Sequence, residues 1–143
     1  MKPLAIYTWG YEGRTVADLR AETQKVGPCQ IVDVRRGNTG ARVKKGWSWL
    51  DLHREFGYLY WSFNFLGNWG KTSVWERGPR ATRDLFMVAA SMVGMPTTMF
   101  LLCKERDHAA CHRTEVAAAL VAILAAAGVE CEVRHLGEEV TGA

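Results

Sequence analysis

The run Gln30-Ile31-Val32-Asp33-Val34 constrains this chain most, because it is β-branched and apolar without the polar alternation of a half-exposed strand. An unbroken run of that kind reads as a strand buried on both faces, and strands of that kind belong to parallel sheets covered on each side by helices. Thr97 to Cys103 is a second, strongly apolar run of the same character. A fold that buries two such strands needs helices between its strands, and the intervening segments supply them.

Leu4 to Thr8 predicts a first strand, ending in the turn signal Trp9-Gly10-Tyr11-Glu12-Gly13. Thr15 followed by Asp18 has the form of a capping box with a shorter acid, so a helix is expected from about Thr15 to Val26, before Gly27-Pro28. Ser48 can cap a helix through Phe56 that stops at Gly57, and Tyr58 to Phe63 then reads as a strand or extended segment. A helix from Pro79 to about Val93, the strand Thr97 to Cys103, a helix opening at Arg113 or Thr114 and a last strand from Glu130 to Leu136 complete the pattern. The expectation is a single three-layer α/β domain, residues 1–143, with a mostly parallel sheet of about four to five strands. Its 143 residues and 48% apolar content suit one core.

In such a sheet, ligands gather beyond the C-terminal ends of the strands. Three segments fall there: Trp9 to Gly13, Asp33 to Arg42, and Cys103 to Arg113. The last holds two of the chain's four cysteines and two of its four histidines between a strand and a helix. Backbone N–H groups at the start of the following helix, with Arg113 beside them, suit a phosphate, sulfate or carboxylate. The same field would lower the pKa of a nearby thiol, which makes Cys103 and Cys111 candidate nucleophiles and Glu105 and His112 candidate acid or base groups. Asp33 and Arg35 are two apart and share a face, so they can pair with each other or hold a ligand together with Gly10, Tyr11 and Arg113.

Several other classes of function find less support. Cys103, His108, Cys111 and His112 are all possible zinc ligands, yet they lack the paired spacing of a structural zinc site, and no metal is expected. Neither a phosphate-binding G-x-x-x-x-G-K-[ST] nor a complete dinucleotide fingerprint occurs, so no cofactor is expected. The 12 apolar residues from Val116 to Ala127 are too few to span a bilayer. Four cysteines without a secretory leader fit a reducing, cytoplasmic setting.

The net charge of +3 is modest for a chain built to coat nucleic acid. A nucleic-acid-binding module nonetheless remains one alternative, because Arg35, Arg36, Arg42, Lys44 and Lys45 lie in one segment without an acidic residue, with Trp47, Trp49 and Trp69 available for stacking on bases. Self-association through the aromatic segment Tyr58 to Trp75 is another. His53 and His135 carry no supporting pattern and are expected to be structural.

The ordered set of three motifs, Tyr7-Thr8-Trp9-Gly10-Tyr11-Glu12-Gly13, then Ile31-Val32-Asp33-Val34-Arg35, then Leu102-Cys103-Lys104-Glu105 with Cys111-His112-Arg113, resembles domain of unknown function family 488 (DUF 488). That resemblance covers nearly the whole chain and implies a small α/β fold with one site built from the three motifs. It implies no reaction. Trp9 stands where the family pattern has a small aliphatic residue, and Asn38-Thr39-Gly40-Ala41 stands where it has a proline and a serine. A more distant likeness, to the rhodanese fold, would imply thiol chemistry, but a rhodanese-type loop places about five residues between cysteine and arginine. Here nine separate Cys103 from Arg113 and one separates Cys111 from it.

Overall fold

A computed structural model describes residues 4–35, 43–67, 73–76, 78–94, 97–104 and 112–137. Five strands form one all-parallel sheet: β1 (Leu4–Gly10), β2 (Cys29–Asp33), β3 (Tyr60–Ser62), β4 (Thr98–Cys103) and β5 (Cys131–His135), in the spatial order β3-β2-β4-β1-β5. Four α-helices lie among the described residues: α1 (Val16–Val26), α2 (Trp49–Phe56), α3 (Pro79–Gly94) and α4 (Arg113–Ala126).

That strand order decides where each helix goes. From β1 to β2 and from β2 to β3 the chain moves toward one edge, whereas from β3 to β4 and from β4 to β5 it moves toward the other. Crossovers between parallel strands are right-handed, so reversing the direction of travel puts the helices on the opposite face. The core divides accordingly. Leu19 of α1 and Leu52 of α2 pack with Trp9, Ile31, Phe100 and Leu102 on one face. On the other, Leu85 and Val88 of α3 and Val116 and Leu120 of α4 pack with Ile6, Val32, Leu101 and Cys103. Successive strand residues alternate between these two clusters, as the pleat requires.

Local chemistry starts the helices where the sequence signals. The Thr15 hydroxyl accepts from the Asp18 N–H at 3.2 Å, and the Asp18 carboxylate accepts from the Thr15 N–H at 2.8 Å, which completes the capping box. Ser48 Oγ accepts from the Asp51 N–H at 3.1 Å in the same role for α2.

Two expectations change. The segment from Tyr58 is not one extended run, because a 3₁₀ turn over Gly57–Leu59 precedes a strand of only three residues. Gly57, with φ 61, ends α2, and the turn that follows it leads into the register of β3 on β2. Trp47 does not stand ready for a base: it is 1% exposed and belongs to the core on the α1/α2 face. The Trp47 N–H donates to the Lys44 carbonyl at 3.0 Å across a turn with Gly46 at φ 92. That conformation favours glycine at the third turn position and directs the indole inward. Trp49 is exposed, and Trp69 lies outside the described residues.

Within the aromatic segment, Tyr58, Leu59, Trp61, Phe65 and Trp75 are exposed, Tyr58 by 82%. No described helix is long and apolar enough to cross a membrane.

Candidate functional site

The reversal in strand order occurs around β4, whose neighbours β1 and β2 both send their chains to the α1/α2 face while β4 sends its own to the α3/α4 face. A crevice opens at such a point because neighbouring loops diverge. Main-chain hydrogen bonds hold the three strand ends together there. Gly10 is in register with Cys103 and Asp33 with Leu102. Beyond these pairs, the Tyr11 N–H donates to the Cys103 carbonyl at 3.0 Å, Glu12 N–H to Lys104 at 2.8 Å and Val34 N–H to Leu102 at 3.0 Å.

The fold thereby brings Gly10, Tyr11, Asp33, Arg35, Cys103, His112 and Arg113 to one crest. Glu105 and Cys111, and the basic residues Arg36 and Arg42, lie outside the described residues. The assembled residues do not form a single cluster, however, because the sheet separates two groups of them.

On the α1/α2 face, Asp33 is fully buried and Arg35 nearly so. Asp33 Oδ1 accepts from Arg35 Nε at 2.9 Å and from the Arg35 backbone N–H at 3.0 Å, while Oδ2 accepts from Arg35 Nη2 at 2.7 Å. The Tyr60 hydroxyl also donates to Oδ2. With four donors on two oxygens, the carboxylate is committed to holding the guanidinium in place. Tyr11 stacks on Trp47 with ring centroids 4.5 Å apart, and the Arg35 guanidinium lies 5.2 Å from the Tyr11 centroid.

Burial opposes the charge on Arg35, but the Asp33 hydrogen bonds and negative charge more than offset it, so the guanidinium holds its proton more tightly than usual. Burial, reinforced by the Asp33 charge, raises the Tyr60 phenol and keeps it a hydrogen-bond donor. Arg35 Nη1 is buried and has no hydrogen-bond partner among the described residues. An unused N–H on a buried cation is costly, and an incoming acceptor would relieve that cost.

On the α3/α4 face, Cys103 ends β4 at 1% exposure, and His112 immediately precedes α4. Cys103 Sγ lies 3.6 Å from His112 Nδ1 and 3.9 Å from Nε2. The two distances differ little, so the sulfur lies beside the imidazole ring. His112 Nε2 is hydrogen-bonded to the Val34 carbonyl, which can only accept, so Nε2 carries the proton. The same hydrogen bond ties the start of α4 to the end of β2. Arg113, the first residue of α4, is fully buried where the helix terminus is already positive.

Tyr60, Trp47 and the Val34 carbonyl are participants that motif reading missed. Tyr60 is in register with Ile31, and its side chain reaches diagonally along the same face to Asp33. His135 has a defined partner, since its Nδ1 lies 2.5 Å from Thr8 Oγ1 across the β1–β5 pair. Among the described residues no three histidine, cysteine or acidic side chains group as a metal site.

Compared with known proteins, the chain matches no family model, no curated protein and no solved structure.

Proposed function

We propose that this domain binds a small anionic ligand, phosphorylated or nucleotide-like, at the C-terminal crest of its sheet, with Arg35 and the N-terminal turn of α4 as the recognising groups. The observation that carries this reading is Arg35 itself, a buried guanidinium fixed by Asp33 whose Nη1 has no hydrogen-bond partner among the described residues. An anion at the crest would also gain from the N–H groups at the start of α4. Asp33 acts on the ligand through Arg35 and is therefore a positioning residue, while Gly10 and Tyr11 form the rim contributed by β1. The chain would then stand as a divergent relative of the DUF 488 family, a proposal resting on its three ordered motifs. Buried Cys29 and the thiol of Cys131, neither in a disulfide, agree with a cytoplasmic setting.

Calorimetric titration of the whole chain with inorganic phosphate and with a nucleoside monophosphate, at low ionic strength, tests the reading. Saturable binding that falls roughly tenfold or more in Arg35→Lys supports it, because lysine keeps the charge but loses the planar fork. Failure of both ligands to bind the wild-type protein contradicts it.

A further inference from the structure

β5 forms one edge of the sheet, with β1 on its inner side and, among the described residues, no strand on its outer side. Two hydrogen bonds fix the direction of its backbone groups. The Leu4 N–H donates to the Glu130 carbonyl at 3.1 Å, and the Leu136 N–H donates to the Thr8 carbonyl at 2.8 Å, so the even-numbered residues of this segment turn their N–H and C=O groups toward β1. Backbone direction alternates along a strand, and the groups of Cys131 and Val133 therefore point out of the edge.

Side chains follow the same alternation. Cys131 and Val133 pack on the α3/α4 core, whereas Glu132 and Arg134 stand exposed on the other face, 3.3 Å apart. The order acid, valine, base is complementary to itself when reversed. If two such strands pair antiparallel about Val133, each Glu132 lies opposite the Arg134 of the second copy, and the two Val133 residues exchange both of their outward hydrogen bonds. A second copy offers that match by symmetry alone.

The helix beside this edge also lacks cover. α4 has only apolar residues from Val116 to its end at Ala126, yet Ala118, Ala122, Ala125 and Ala126 are exposed. A helix that is apolar all round belongs in an interior. Between α4 and the start of β5 lies an open cleft of about 600 Å³, lined by Val121, Ala125, Val129 and Cys131 with Glu130 and Glu132. A twofold axis perpendicular to the sheet keeps like faces together, so edge pairing sets both α4 helices on the same side of the joined sheet.

We propose that the chain forms a twofold homodimer in which β5 pairs antiparallel with β5 of a second copy and α4 flanks α4. A stable interface takes roughly 800 Å² per partner, more than a five-residue edge offers by itself, and the apolar face of α4 adds to it.

Sedimentation equilibrium of the full chain over a range of concentrations measures the association. The wild-type protein is expected to show a monomer–dimer equilibrium. Glu132→Arg sets arginine against arginine at both symmetry-related positions, and Arg134→Glu does the same with glutamate, so each variant alone should raise the dimer dissociation constant roughly tenfold or more. An equal mixture of the two restores opposite charges across the edge and should recover a mass of twice the chain. Both side chains are exposed, and circular dichroism should stay unchanged. Val133→Pro removes an N–H that points away from β1 and should also abolish the dimer. If that variant fails to fold, the charge variants decide.

A wild-type protein that stays monomeric throughout overturns the proposal. So does a dimer that both charge variants leave intact, or a mixture that does not recover. Loss of the dimer in Trp61→Ser alone overturns it as well, since that result puts the interface at the opposite, β3 edge.

Discussion

Asp33 grips Arg35 through both Nε and Nη2, at 2.9 and 2.7 Å, across a spacing of two residues at the end of a buried strand. Isolated pairs of this kind contribute little net stability, since desolvation offsets most of their attraction, but removing one partner leaves a buried charge uncompensated. The grip therefore matters chiefly for fixing the direction of a cation. Tyr60 completes it, and that gives the first prediction.

Tyr60→Phe removes one donor from the Asp33 carboxylate while preserving the ring. A buried acceptor left short of a partner costs about 1–3 kcal/mol, so urea denaturation should show a loss of that size. Anion affinity should fall as well, because Arg35 is then held by fewer constraints. Unchanged stability would mean that the Tyr60 hydroxyl makes no hydrogen bond to Asp33 in solution.

Trp47→Ala should destabilise the fold by about 3–5 kcal/mol, the range for deleting a large buried aromatic side chain. The loss follows from the indole's packing against Tyr11 and Trp9, with centroids 4.5 and 6.1 Å away. Thermal unfolding measures it directly. A near-neutral effect would return Trp47 to the solvent-exposed, base-stacking role that its sequence surroundings suggest.

The capping box of α1 predicts a pH dependence. Hydrogen bonds from the Thr15 backbone and side chain hold the Asp18 carboxyl below its ordinary range, so the ionised form is favoured in the folded state. Its contribution is present above the unfolded-state pKa and is lost as pH falls through the lower folded-state value. Thr15→Ala should therefore destabilise the protein more at neutral pH than in acid, as denaturation across that range would reveal. A difference that grows in acid would contradict the account.

Asp84 carries the opposite sign. Burial in α3 raises its carboxyl, partly countered by Arg83, so the protonated form is favoured on folding and stability falls as pH rises through the window above the unfolded-state value. Asp84→Asn should stabilise the protein at neutral pH, and the gain should vanish below the ordinary carboxylate range. Equal effects at both extremes would show that the carboxyl is hydrated in the folded state.

What was legible in the sequence was local. The run through Ile31 and Val32 reports double-sided burial, Thr15 and Ser48 announce helix starts through their own side-chain chemistry, and the spacing of Asp33 and Arg35 places them on one face. What was not legible depends on distant chain segments. Tyr60 meets Asp33 only because β3 aligns on β2. The nine residues between Cys103 and Arg113 argue against a shared thiol site when counted along the chain, yet the return of α4 over β4 sets His112 beside the sulfur. Trp47 misleads for a related reason: glycine and basic neighbours describe its loop, whereas the turn at Gly46 decides its burial.

Backbone amide NMR during titration with inorganic phosphate reads anion binding at the crest residue by residue. Saturable shifts are expected at Gly10, Tyr11, Val34, Arg35 and the first turn of α4, and they should be lost in Arg35→Lys. Shifts that never saturate, or that are confined to exposed basic residues away from this crest, would contradict it.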